Sequence, residues 1–330
     1  MIFRDLTETV GHTPMVELAR IGAGLPARVV GKLEMRNPLG SVKDRVAVAL
    51  IDDAERRGVL RPGMTIVEAT GGNTGIGLAF VAAIRGYRLI LTMPSTMSRE
   101  RVALLRQLGA EVVLTPGILM TDAVTRAEQL VRETPGAITL DQFRNPANPE
   151  VHRRTTAVEI WDDTDGAVDI VVSAFGTGGT LTGIGQALKA RKASLRVVAV
   201  EPATAAVLSG RAPGEHRIPG IGVGFLPDVL DRAVVDEVFA VSDSDAFAMA
   251  RRLARTEGIV AGASSGAALH AALAIAGRPE LDGRMIVVIL PDSGERYITT
   301  DLFAPTVRVQ RISSELGSDE PNPDHPVGSG

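Results

Sequence analysis

The sequence predicts an α/β protein of two doubly wound domains, each a parallel sheet with helices on both faces. Three observations carry this expectation. Runs such as "VDIVVSAF" and "MIVVIL" are apolar almost without a break, as strands covered on both faces must be. Segments with apolar residues at helical spacing separate such runs, so strand and helix alternate. The alternation comes in two series, divided at residues 142–150, "QFRNPANPE", whose two Asn-Pro pairs read as a connector. A cleft is expected near residue 145, where the domains meet.

The first series opens with the helix "VAVALIDDAERRG", closed by Gly58. The strand "MTIVEA" and the helix "NTGIGLAFVAAIRG" follow. Next come the strand "YRLILTM", the helix "SRERVALLRQLG" with Ser98 as N-cap, the strand "AEVVLT" and the helix "TDAVTRAEQLVRE", and "GAITL" closes the series. The second series runs from helix "VHRRTTAVEIW" to strand "VDIVVSAF", a glycine-rich turn, helix "LTGIGQALKAR" and strand "LRVVAVE". After an irregular stretch at 203–232 come the helices "DSDAFAMARRLARTEG" and "GAALHAALAIAG" and the strand "MIVVIL". The smaller domain is expected over residues 44–147, and the larger over 1–43 and 148–312.

Composition narrows the function. At 330 residues and 45% hydrophobic, the chain can bury a large core, yet no apolar run approaches the roughly 20 residues of a membrane span. The start "MIFRDLTETV" lacks the basic-then-apolar order of a secretory signal, so a cytoplasmic location is expected. With no cysteine, disulfides, thiolate metal sites and a cysteine nucleophile are all excluded. A net charge of −4 with dispersed Lys and Arg argues against a nucleic-acid surface. Residues 313–330 are poor in apolar side chains and are expected to form a disordered tail.

"TGGNTGIG", residues 70–77, fits the phosphate turn of a short-chain dehydrogenase. That turn belongs near the N-terminus, after the first strand, and its chemistry needs a tyrosine with a lysine four residues on. Tyr87 and Tyr297 are the only tyrosines, and Leu91 and Asp301 stand four residues after them. The nicotinamide reading fails.

Three separated stretches point elsewhere. In "NPLGSVKDR", Ser41 can cap a helix whose first turn carries Lys43. The positive end of the helix dipole disfavours an ammonium there and lowers its pKa, as a nucleophilic or basic amine requires. Otherwise the Lys-Asp pair is an ordinary solvated one. In "GTGGTLTG", Gly176, Gly178 and Gly179 let backbone N–H groups converge ahead of a helix, an anion cradle. No lysine follows, so a monophosphate fits better than a nucleoside triphosphate. "GASSGA", residues 262–267, opens a late helix with small residues.

In order, "NPLGSVKDR", "TGGNTGIGLA", "GTGGTLTG", "IPGIGVGFLP", "GASSGAA" and "LPDSGERY" resemble the motifs of the cysteine synthases (O-acetylserine sulfhydrylases), from about "GHTPMVEL" to Phe303. The resemblance implies a tryptophan synthase β-like fold (fold type II) and pyridoxal 5'-phosphate as cofactor. Lys43 matches the lysine that binds the cofactor covalently and later removes the substrate α-proton. Gly176, Thr177, Gly178, Gly179 and Thr180 match the phosphate cup, Asn73 the contact to the ring hydroxyl, and Ser264 the hydroxyl facing the pyridine nitrogen. Thr70, Gly71, Asn73, Thr74 and Gln142 match the clamp on the substrate carboxylate, and Gly220 lies in a further substrate-binding stretch. The implied reaction replaces the acetoxy group of O-acetyl-L-serine by sulfide through an α-aminoacrylate, giving L-cysteine and acetate. A homodimer and a cleft able to accept the C-terminal peptide of serine acetyltransferase are implied too.

The chain departs from the family where serine is usual and Gly71 stands, either for its backbone N–H alone or because the turn needs a positive φ. "TPGILMTDA" is about one residue shorter than usual. Val42 and "GTGGT" disfavour the related dehydratases. Val223 and Gly224 replace the aromatic-acidic pair of cystathionine β-synthases, which, with O-phosphoserine-using sulfhydrylases, are the alternatives. A cofactor-retaining regulatory binding protein is the non-enzyme alternative. Trp161, Met93 and Met97 read as packing. His152, His216 and His270 have no metal spacing, and the arginines of "RRLAR" read as a solvated face.

Overall fold

A computed structural model describes residues 2–117 and 120–303 of the protein. The chain forms β1 (Met15–Glu17), β2 (Arg28–Leu33), α1 (Lys43–Arg56), β3 (Thr65–Ala69), α2 (Asn73–Arg85), β4 (Arg88–Pro94), α3 (Arg99–Gln107), β5 (Glu111–Thr115), α4 (Met120–Glu133) and β6 (Ala137–Ile138). It continues with α5 (Ala147–Val151), α6 (Ala157–Asp163), β7 (Ile170–Ala174), α7 (Gly179–Arg191), β8 (Arg196–Pro202), β9 (Glu237–Val241), α8 (Asp243–Glu257), α9 (Ala263–Ala276) and β10 (Met285–Leu290). The expected tail at 313–330 lies outside the described residues.

A six-stranded sheet has the order β1-β2-β10-β7-β8-β9, parallel except for antiparallel β1. A four-stranded parallel sheet has the order β5-β4-β3-β6. The unbroken apolar strands work as the side-chain period of two demands. Along β10, Ile286, Val288 and Leu290 join the core under α8 and α9, while Val287 and Ile289 join the one under α6 and α7. In the smaller sheet, Ile66, Leu89 and Leu91 pack with α1 and α2, and Val67 and Ile90 with Ala127 of α4.

Three strands escape the sequence pattern. Gly31 and the buried Lys32 interrupt the apolar run of β2, β1 is a short edge strand, and β9 is a half-exposed edge. "GAITL" pairs only at Ala137–Ile138. The connector holds α5, which passes through a π-helical turn at His152–Thr156 into α6, so the helix expected from 151 is interrupted. Its start at Ala147 follows Pro146, whose φ of −65° is already helical. Trp161 is partly buried against the core, with the Arg191 guanidinium 5.4 Å from its ring centroid.

Candidate active site

Helix α1 starts at Lys43, and α2 crosses it at that turn. The crossing is close because Gly77 carries no side chain: a Cβ there would stand 2.9 Å from Ala47 Cβ and 3.0 Å from the Lys43 carbonyl oxygen. The second glycine of "GIG" thus serves helix packing, and it draws the 70–74 turn to Lys43. From the other sheet, the segment after β10 clasps the same turn, Val42 N–H donating to the Pro291 carbonyl at 2.8 Å and Ser293 N–H to that of Gly40 at 3.2 Å. Gly262 N–H donates to the Asp292 carbonyl at 3.1 Å, which brings up the head of α9.

A cleft of about 1300 Å³, counted out to solvent, opens between the two sheets. Lys43, Thr70, Gly71, Asn73, Thr74, Gln142, Gly176, Thr177, Gly178, Thr180, Gly220 and Ser264 all line it. Gly179 stands behind the cup wall, where a Cβ would collide with the Asn148 amide. Gly178 has φ +84° at the N-cap of α7, a conformation that costs any other residue energy. Gly176 is constrained by space, because a Cβ would lie 2.5 Å from the Gly220 carbonyl oxygen.

Lys43 differs from the other lysines of the chain. Lys32, Lys189 and Lys192 each hold a carboxylate within 2.8 Å, whereas Lys43 forms no ion pair among the described residues. Burial holds its ammonium down at about pKa 8, partly offset by the Asp292 carboxylate. Asp44 is no solvated partner for it. It is fully buried, accepts the Leu39 N–H at 2.7 Å, and burial raises its carboxyl to about 7. Ser41 is not the N-cap, a place taken by Val42 without a side-chain cap; its Oγ, one residue before that cap, accepts from Lys43 N–H at 3.2 Å.

In the 70–74 turn, Thr74 donates through Oγ1 to Gln142 Oε1 at 2.6 Å, and Thr70 Oγ1 accepts the Gly72 N–H at 3.4 Å. Gly71 does not have a positive φ, so the left-handed explanation of its glycine is set aside. Crowding remains: a Cβ would meet Met97 Cε at 2.8 Å and Met93 Sδ at 3.1 Å.

Several residues left unassigned by the sequence support the site. Asn148 donates to Thr177 Oγ1 at 3.1 Å, and His152 places Nε2 3.2 Å from Thr180 Oγ1 and Nδ1 2.9 Å from Thr156 Oγ1. Burial, then Arg45 and Lys43, depress the His152 pKa well below the usual value, so the ring is neutral. Arg45 holds Glu34 at 2.8 Å and Glu159 at 2.6 Å, which ties α1 to the 3-10 turn that follows β2 and to α6. Burial pushes the Glu159 carboxyl up, but Arg45 and Lys32 outweigh it and hold it at about 2. Asp292, Arg296 and Tyr297 cluster about Asn73. All three lay in the quoted "LPDSGERY"; Asn148 and His152 gave no signal, because the π-helical turn that aims His152 is invisible in periodicity.

An amine kept largely free of a counter-ion, a glycine cup at a helix N-terminus and a Ser264 hydroxyl with no partner among the described residues fit a phosphorylated aromatic aldehyde. Among the described residues there is no cluster of three or more metal-binding side chains, and no helix is long and apolar enough to cross a membrane.

The sequence is 52% identical over 313 residues to cysteine synthase A of Escherichia coli (strain K12), covering 92% of this chain and 96% of that one. The crystal structure of cysteine synthase (OASS) from Entamoeba histolytica superposes with a TM-score of 0.90 at 46% identity, covering 92% of this chain and 91% of that one. An O-ureido-L-serine synthase structure does so at 0.89 and 44%, covering 97% and 98%. The model of the pyridoxal-phosphate dependent enzymes matches residues 6–292, and the chain belongs to that family.

Proposed function

We propose that the protein is a cysteine synthase, exchanging the acetoxy group of O-acetyl-L-serine for sulfide to give L-cysteine and acetate. The observation that carries this reading is Lys43, the lysine with no ion pair among the described residues, on a cleft whose walls are a glycine cup and the 70–74 turn. The 52% identity to a cysteine synthase A supports it.

The cofactor would supply an aldehyde for the substrate amine and a π-system that accepts the α-carbon electron pair. The cup from Gly176 to Thr180 would hold its phosphate, Asn73 its ring hydroxyl and Ser264 its pyridine nitrogen. Thr70, Gly71, Asn73, Thr74 and Gln142 would clamp the substrate carboxylate, with Gly220 opposite. Released as a free amine, Lys43 takes the α-proton while acetate leaves the β-carbon. Hydrosulfide then bonds to that carbon, and Lys43 returns its proton to Cα. Burial by the protein holds the free Lys43 amine at about 8, in the range a general base needs.

Gly224 supplies no acidic side chain at the position where a cystathionine β-synthase has one. We take residues 44–147 as the smaller domain and 1–43 with 148–312 as the larger, the enzyme as a cytoplasmic homodimer, and the cleft as able to take the C-terminal peptide of serine acetyltransferase. Steady-state rates with O-acetylserine, O-phosphoserine and serine, each against sulfide and homocysteine, test the assignment. Turnover of O-acetylserine with sulfide is expected to dominate, and a preference for homocysteine or no turnover would reject it.

A further inference from the structure

Asn73 heads α2, and both ends of its side-chain amide are held from the opposite sheet. Its Nδ2 donates to Asp292 Oδ2 at 2.7 Å, and its Oδ1 accepts from Arg296 Nη1 at 2.6 Å. Asp292 is 1% exposed, and the same Oδ2 also accepts the Tyr297 hydroxyl. Tyr297 is itself covered by the Arg101 guanidinium, 5.3 Å from its ring centroid.

An amide can turn over, exchanging its oxygen and nitrogen with little change of shape. Here the turned state would set the Asn73 oxygen against a carboxylate and its NH2 against a guanidinium. Both contacts are repulsive, so acceptor and donor together select one orientation. In that orientation one Nδ2 hydrogen is taken by Asp292. The other has no partner among the described residues, on a side chain that lines the cleft.

We propose that Asp292 and Arg296 are positioning residues that lock the Asn73 amide as a hydrogen-bond donor toward the cleft, where it receives the ring oxygen of the cofactor as an anion. The inference rests on the reading of Asn73 as the contact to the ring hydroxyl. It gives that contact a direction: a locked donor favours the oxide over the hydroxyl, and an amide free to turn would serve either.

The test is a double-mutant cycle on cofactor affinity, measured by titrating the resolved full-length protein with pyridoxal phosphate. Arg296→Met keeps the stem of a half-buried side chain and removes the donor. Asp292→Asn keeps the shape, and its new amide can offer Asn73 either group. Each is expected to raise the apparent Kd about fivefold, the worth of roughly 1 kcal/mol. Each is expected to have no further effect in an Asn73→Ala background. Thermal midpoints of the cofactor-free variants provide the second readout, and a positioning role leaves that of Arg296→Met near the parent's. The same fold-change with and without Asn73 would overturn the proposal, since both residues would then act directly or through stability. If Asn73→Ala alone left the affinity unchanged, the reading of Asn73 would fall, and the inference with it.

Discussion

Replacing Lys43 by methionine should stabilise the cofactor-free protein, and only over part of the pH scale. Burial holds the Lys43 ammonium at about pKa 8, against 10.5 for an ordinary lysine. Below pH 8 both folded and unfolded chains carry the proton, and the folded state bears the full cost of a charge it solvates badly. Between 8 and 10.5 the folded protein releases the proton and the unfolded chain keeps it, so stability climbs with pH. Above 10.5 the penalty is gone. The interval corresponds to about 3 kcal/mol, and water in the cleft reduces it toward about 1 kcal/mol. Lys43→Met removes the amine and keeps the length of the stem. Urea unfolding of the two cofactor-free proteins should therefore differ by about 1–3 kcal/mol at pH 7 and settle to a constant offset only as the pH passes the ordinary lysine value of 10.5. Asp44, raised to about 7, titrates in both proteins and drops out of the difference. A difference that is flat with pH would refute the claim that burial destabilises the ammonium. The functional counterpart is that the neutral amine at pH 7 is about 300-fold more abundant than on an unperturbed lysine.

Further outcomes follow from the same geometry. Borohydride reduction of the loaded protein should fix the pyridoxyl group on Lys43 and not on Lys32, whose Nζ is held by the Thr13 carbonyl at 2.7 Å and Glu159 at 2.8 Å; peptide mapping decides. Gly71→Ala and Gly71→Ser should each cost about 1–2 kcal/mol of unfolding free energy through the Met97 and Met93 contacts. Met97→Ala should relieve most of that loss, and equal losses with and without Met97 would deny the Met97 contact its part. His152→Phe, which keeps a ring and loses both hydrogen bonds, should weaken pyridoxal phosphate about fivefold and leave pyridoxal, which has no phosphate, unchanged in equilibrium titrations. Equal weakening of both would deny His152 its role behind Thr180.

The sequence by itself determined the α/β class, the two series and the stretches that supply the cleft, because continuous apolar strands, glycine turns and capped helices are local signals. It separated Lys43 from a surface pair only as one possibility. The structure decided that matter by burying Asp44 and pairing every other lysine with a carboxylate. Strands β1, β2 and β9 were not legible, since their stability comes from neighbours distant in sequence and not from their own pattern. The same holds for the supports of the site. Asn148 reaches the glycine cup from a connector that reads as loop, His152 from an expected helix, and the π-helical turn that points His152 leaves no trace in residue spacing. Asp292 and Arg296 stand more than 200 positions from Asn73 in sequence. Whether an amide offers its hydrogen or its oxygen depends on which charges face it, and only the tertiary fold brings those charges together.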